Sequence, residues 1–172
     1  TTGRWYVCTY NDTLAVNDGT NRPWTWTGAD GTSGLTLLSN GPSAAFGRPT
    51  VYYAKLFFIK STRSSIVWSE ENAANTGYEA GGYTNVWTLA QTSSSPVTVI
   101  YGTNVGLYYW RWDSIGKIAG AVTPEFTTTG VHDAIDTQRG CRAPDGVLLH
   151  GNAFWFVDNR GHPCILPLNG QV

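Results

Sequence analysis

Charge is scarce in this chain. Asp, Glu, Lys and Arg make up 13% of its 172 residues, about half the usual share of a soluble domain. Lys and Arg number 11 and Asp and Glu 12, so the formal net charge is -1. A general nucleic-acid binder or a polybasic membrane anchor needs clustered cations, and neither is expected here. No apolar run approaches the roughly 18 residues of a membrane-spanning helix, so no membrane insertion is expected. Methionine is absent, which leads us to expect a piece of a longer polypeptide. Cysteine is limited to Cys8, Cys141 and Cys164. An odd count suits no complete disulfide framework. One bridge, with Cys141 and Cys164 the more local pair, and three reduced thiols both remain open. Asn11-Asp12-Thr13 is a lone glycosylation sequon, short enough to arise by chance.

Catalytic signatures are missing as well. There is no phosphate-cradling glycine loop, no dinucleotide fingerprint, no His-Glu-x-x-His and no Gly-x-Ser-x-Gly elbow. A zinc site would have to gather Cys141, His150, His162 and Cys164, but His-x-Cys matches no usual ligand pair. Buried cysteine acting as a small hydrophobe is the simpler reading. A thiol nucleophile would pair Cys164 with His162, two residues away, and the intervening Pro163 bends that geometry. Glycoside hydrolysis needs two opposed carboxyls. Glu70, Glu71, Glu79, Asp113 and Glu125 are available, yet nothing in the sequence pairs any two. The expectation is no enzyme, no cofactor and no metal.

What the chain does have is neutral polarity and aromatic rings. Ser, Thr and Asn outnumber charged residues roughly two to one, and aromatics reach 13%, with 8 Trp and 9 Tyr. Thr, Val, Tyr, Trp and Gly together suit pleated strands joined by tight turns. Turn signals recur at Asn17-Asp18-Gly19, Asn40-Gly41-Pro42, Asp145-Gly146 and Asn159-Arg160-Gly161. Strands are expected at 5–10, 35–39, 51–60, 65–68, 86–90, 97–101, 107–113, 147–149, 153–157 and 164–168. Within 107–113, alternation places Tyr108, Trp110 and Trp112 on one face, as core or dimer interface, opposite Tyr109, Arg111 and Asp113. Residues 131–137 read as a short helix. No internal repeat and no linker is visible. The expected fold is all-β: one domain over 1–172, a single compact antiparallel β-barrel or β-sandwich with minor helical turns.

Such a surface suits neutral polar ligands. Sugars offer C–H faces to Trp and Tyr and hydroxyls to amides and carboxylates. Two stretches fit. One is Trp24-Thr25-Trp26-Thr27, whose indoles share one side if extended, as ligand platform or as core. The other is the loop 70–83, with Glu70, Tyr78, Glu79 and Tyr83. Trp24, Trp26, Glu70, Tyr78, Glu79 and Tyr83 are the candidate ligand-binding residues.

Residues 47–83 carry a more specific pattern: Gly47-Arg48-Pro49-Thr50, then Tyr53-Ala54-Lys55-Leu56-Phe57-Phe58-Ile59, Ser65-Ile66-Val67-Trp68 and Asn75-Thr76-Gly77-Tyr78. This resembles the protruding spike domain of hepatitis E virus-type capsids, and astrovirus spikes are similar in fold. Residues 102–172 depart from the hepatitis E pattern, with extra aromatics, cysteines and histidines, and favour an astrovirus-like spike. The glycan-binding head of the rotavirus spike is a further possible relative. The resemblance implies a β-barrel homodimer on the virion surface, made in the host cytoplasm. It would attach to a host-cell receptor, glycan or protein, and carry epitopes for neutralising antibodies. The alternatives are a lectin-like carbohydrate-binding module from a non-viral source and, third, a carbohydrate-active enzyme.

Overall fold

A computed structural model of the chain describes residues 4–28, 34–71, 73–74, 86–88, 95–119 and 131–168. The described residues form strands, turns and irregular segments. The fold is all-β and antiparallel, as expected, but it is not a single closed barrel. It is a row of four consecutive meanders. The first sheet holds β1 (Tyr6–Tyr10), β2 (Thr13–Asn17), β3 (Trp24–Trp26) and β4 (Leu35–Leu37). The second holds β5 (Ala45–Tyr52), β6 (Lys55–Lys60), β7 (Ser65–Trp68) and β8 (Val86–Thr88). The third holds β9 (Val97–Thr103), β10 (Gly106–Arg111), β11 (Ile115–Ala119) and β12 (Val131–Asp136). The fourth holds β13 (Val147–His150), β14 (Ala153–Val157) and β15 (Pro163–Pro167). In every sheet the strands follow chain order, each beside its predecessor.

Each sheet lays one face on the next. Tyr10, Ala15, Leu38, Leu56, Phe58 and Val67 fill the seam between the first and second sheets. Tyr52, Phe57, Ile59, Trp68, Ile100, Leu107 and Tyr109 fill the next. Val99, Tyr108, Trp110, Phe154, Phe156 and Leu166 fill the third. The leading strands β1, β5 and β9 lie side by side across these seams. Radial repetition of short meanders about an axis is the plan of a β-propeller, and the order of the four sheets follows it. Among the described residues none of the three clusters joins the first sheet to the fourth. One exposed ion pair, Arg4 Nη1 to Asp145 Oδ2 at 2.6 Å, links the approach to β1 with the turn before β13.

Several expectations change here. The structure repeats four times although no repeat is visible in the sequence, because the sheets share a pattern of strands and not a set of residues. Residues 131–136 form strand β12, paired with β11 from Ala119↔Val131 to Ile115↔Asp136, and not a helix. The stretch 51–60 is two strands, split by a turn at Tyr53-Ala54, whose φ values are 48° and 51°. The Tyr108 and Trp110 rings are core: both pack on Phe154, with centroids 4.9 Å away. Tyr109, on the opposite side, is core too, because the third sheet is covered on both faces and every residue of β10 is buried. Trp112 leaves the stripe after a register shift at Trp110/Arg111 and lies under the Arg63 and Arg142 guanidiniums, 5.5 Å from each.

Candidate functional site

The most distinctive local feature interrupts β5. Phe46 pairs with Ile59, but the next pair is Thr50 with Phe57. Gly47, Arg48 and Pro49 therefore oppose Phe58 alone. Both outer residues suit a bulge: Gly47 takes φ 65°, open to a residue without Cβ, and Pro49 has no N–H to offer the ladder. Bulges of this kind re-aim a side chain and gather near sites. Asn17, fully buried in β2, braces this one. Its Nδ2 donates to the Gly47 carbonyl at 2.7 Å, and its Oδ1 accepts from the Gly19 N–H at 3.0 Å.

The bulge directs Arg48 into a cleft of about 220 Å³ between the leading strands of the first three sheets. Cys8 and Thr9 of β1, Thr50 and Val51 of β5, and Ile100, Tyr101 and Gly102 of β9 form its walls with Arg48 and Pro49. Arg48 Nε donates to the Val7 carbonyl at 3.3 Å. The guanidinium carbon stands 6.0 Å from the Tyr101 ring centroid. The wall is tight at Gly102, where any Cβ would overlap the Val51 carbonyl oxygen. The Gly102 N–H donates to Thr50 Oγ1 at 2.8 Å. Burial pushes the Cys8 thiol up to about 12, with Arg48 acting in the opposite direction, so this sulfur stays protonated and is no nucleophile. The cleft lies below the roughly 300–1,000 Å³ of drug-sized pockets and suits one sugar ring or a small acid. A guanidinium in a cleft wall can offer two N–H groups together to a carboxylate or to vicinal hydroxyls.

The sequence candidates fall elsewhere and apart from one another. Trp24 and Trp26 share one face of β3, as extended geometry requires. That face is not core, and Thr9 is the member of its rows that lines the cleft. Register aligns Val7, Val16, Trp24 and Leu37 in one row and Thr9, Leu14, Trp26 and Leu35 in the next. This is the outer side of the first sheet, away from the second, and Trp26, Leu35 and Leu37 are exposed there. Trp5 joins the patch, 6.1 Å from Trp24. Glu70 lies beyond β7, where Oε2 approaches the buried Lys55 Nζ at 3.8 Å. Tyr10, on the inner side of the first sheet, neighbours Ser69 and Glu71, which puts Glu70 across the sheet from the indoles. Tyr78, Glu79 and Tyr83 lie outside the described residues.

The other chemistries raised by the sequence are also placed. All three cysteines are free. Cys141 is buried beside the third seam and its thiol donates to the Ala143 carbonyl at 3.4 Å. Cys164 donates to the backbone carbonyl of His162 at 3.6 Å, not to its imidazole. Burial and then Asp158 raise the Cys164 thiol above its ordinary value, the reverse of activation. Among the described residues no three His, Cys, Asp or Glu side chains gather as a metal site would require.

Arg48, Tyr101 and Asn17 are not among the site candidates that the sequence offered. A readable signal existed: Gly-Arg-Pro inside a strand-like run places a left-handed residue and a missing N–H together, which spells a bulge.

No protein-family model matches the sequence, and no curated protein does. Among solved structures, the chain is similar to the crystal structure of the computationally designed Ika4 protein. The TM-score is 0.54 at 10% identity, over 97% of this chain and 92% of that chain. At that identity the likeness is one of fold alone.

Proposed function

We propose that the chain is a non-catalytic attachment module that binds an acidic sugar of a receptor glycan in the cleft around Arg48. The observation that carries this reading is the bulge-presented guanidinium beside Tyr101, in a cleft sized for one ring. A carboxylate would take the guanidinium N–H pair, and Thr9 and Thr50 would serve neighbouring hydroxyls. Binding at a single cleft of this size is weak, and display of many copies multiplies it. The capsid-spike resemblance supplies such a setting: repeated display on a virion surface, a homodimer, a host-cell receptor and exposure to antibodies. The lectin-like reading shares the same site chemistry. One observation favours it, since four meanders in a row are not the single barrel that the spike resemblance implies.

The test is binding by titration calorimetry or saturation-transfer NMR, with carboxylated sugars against their neutral counterparts. Carboxylated sugars are expected to bind, and Arg48→Ala to lose at least tenfold in affinity with its melting temperature kept near that of the parent. A charge-assisted bond of this type is worth about 1.5–3 kcal/mol. Equal binding of neutral and acidic sugars, or an Arg48→Ala variant that binds as before, would sink the proposal.

A further inference from the structure

Arg63, Trp112 and Arg142 form a second cluster of cations and rings, and it shares no residue with the Arg48 cleft. Arg63 stands in the turn between β6 and β7 with φ 60°. A residue other than glycine is held there at a cost, and such residues gather at binding sites. Its carbonyl accepts the Val97 N–H at 2.8 Å, and its Nε donates to the Val97 carbonyl at 3.1 Å. The turn is thereby laced to the start of β9. The guanidinium lies over the Phe46 ring, 4.3 Å from the centroid. Trp112 follows β10 and is 40% exposed. Arg142, in the segment before β13, is exposed. Both guanidiniums stand 5.5 Å from the centre of the Trp112 ring, so they are no further apart than twice that distance. Neither forms an ion pair among the described residues. Asp113, next in the chain, acts on Arg111 instead, and Asp145 is taken by Arg4. Arg63 Nη2 is shut off from solvent and makes no hydrogen bond. Burial lowers the Arg63 guanidinium below its ordinary value, and no carboxylate counters it.

We propose that this cluster is an anion site that takes a tetrahedral oxyanion ester, the sulfate or phosphate group of a modified sugar. Two like charges beside one ring repel each other, and a half-buried cation without a counter-charge is costly. Stacking on Phe46 and Trp112 offsets part of that cost. It uses the faces of the guanidiniums, however, whereas hydrogen bonds use their edges. An anion seated against both arginines compensates the two charges together. The class of anion follows from the donor count. A carboxylate has two oxygens and is filled by one guanidinium fork. Two guanidiniums on one indole offer more N–H groups than that, and an ester of this kind brings three terminal oxygens. Arg63 is fixed by Val97 and Phe46 and supplies the rigid half of the site. Arg142 is exposed and supplies the half that can swing onto the ligand. The exposed part of the Trp112 ring gives the C–H face of the sugar an apolar surface to rest on. The inference does not rest on the Arg48 reading, since either site can fail without the other.

The experiment is heteronuclear NMR of the Trp112 indole N–H, assigned by its loss in Trp112→Phe. The signal is followed while sulfated glucose, phosphorylated glucose, glucuronate and glucose are titrated in turn. The esters are expected to shift it saturably, glucuronate to need higher concentrations, and glucose to leave it in place. The ester that saturates at the lower concentration names the group that the site prefers. Arg142→Gln is expected to weaken ester binding at least about tenfold, the loss of one charge-assisted bond. The exposed position of Arg142 makes an intact fold the expectation, checked by circular dichroism. Arg142→Lys should restore only part of the affinity, because it keeps the charge and loses the planar fork. Arg63→Gln should behave as Arg142→Gln does, and where it fails to fold the Arg142 pair decides. Arg48→Ala is expected to leave this titration unchanged, which separates the cluster from the cleft. A Trp112 signal that no ester moves, or that moves without saturating, overturns the proposal. So does an equal response to glucose, or an Arg142→Gln variant that binds the esters as the parent does.

Discussion

Asn17 shows how one buried amide supports the site. It is wholly inaccessible and satisfies the Gly47 carbonyl that the bulge removes from the β5–β6 ladder. Asn17→Ala leaves that carbonyl buried and unpaired, at a cost of about 1–3 kcal/mol. The expected outcome is a lower urea midpoint together with weaker sugar binding, although Asn17 is absent from the cleft wall. Unchanged affinity in the folded variant would show that the bulge holds Arg48 without help. Tyr53-Ala54 is the opposite case, a place where the sequence works against the backbone. Both residues sit in the left-handed region, which costs an L-residue roughly 1–2 kcal/mol. The turn is retained because Tyr52 and Tyr53 meet edge to face at 4.6 Å and Tyr10 Oη donates to the Ala54 carbonyl at 3.3 Å. Ala54→Gly removes the left-handed cost and adds unfolded-chain entropy, for a net gain of about 0.5–1 kcal/mol. A denaturant midpoint that rises with an unchanged slope is the expected reading; a fall would mean that the alanine methyl group contributes packing.

The β14–β15 hairpin is held by the carboxylate of Asp158. Its Oδ1 accepts the N–H groups of Arg160 at 2.9 Å and His162 at 2.8 Å. These bonds, that from His162 foremost, hold its carboxyl below the ordinary value of 3.8. A group whose folded value is depressed adds stability above its unfolded value and loses it as pH falls through the folded one. The hairpin should therefore be fully tied at neutral pH and loosen below 3.8, seen as faster exchange of the Arg160 and His162 amides beyond the intrinsic pH trend. Asp158→Asn should lose that acid step; an identical acid profile in the variant would place the titration elsewhere. Elements were legible in the sequence where alternation met a strong turn signal. Strands at 65–68 and 153–157 are found at those bounds: both are β-branched and aromatic runs, and the second is closed by Gly151-Asn152 before it and Asp158-Asn159 after it. Where the turn is Tyr-Ala, the hairpin was invisible, since nothing in those side chains announces φ > 0. Strand β12 was misread because Val-His-Asp-Ala-Ile-Asp carries no clear period of two. The site was less legible than the fold. Trp24 and Trp26 do share a side, but sequence alone does not say which neighbour that side meets. Arg48 was overlooked because a single arginine gains meaning only when strands distant in sequence surround it.

At the scale of the whole molecule, a row of stacked sheets behaves as a chain of nearest-neighbour contacts, and its stability is distributed accordingly. The second and third sheets are covered on both sides, and Phe57, Trp68, Tyr109 and Trp110 are all at most 2% exposed. The first and fourth sheets each contribute one face to these clusters, and their other faces carry the exposed Leu35, Leu37, Leu148 and Trp155. In dilute solution, amides of β6, β7, β10 and β11 should exchange through global unfolding, while those of β2, β3, β14 and β15 exchange faster through local opening of the ends. Hydrogen exchange followed by mass spectrometry reads this gradient directly. End sheets as protected as the middle would mean that the four sheets unfold as one unit, with the Arg4–Asp145 ion pair among the contacts that tie the first sheet to the fourth. A gradient from the middle outward is the expected reading, because each end sheet shares a single apolar cluster with a neighbour while each middle sheet shares two.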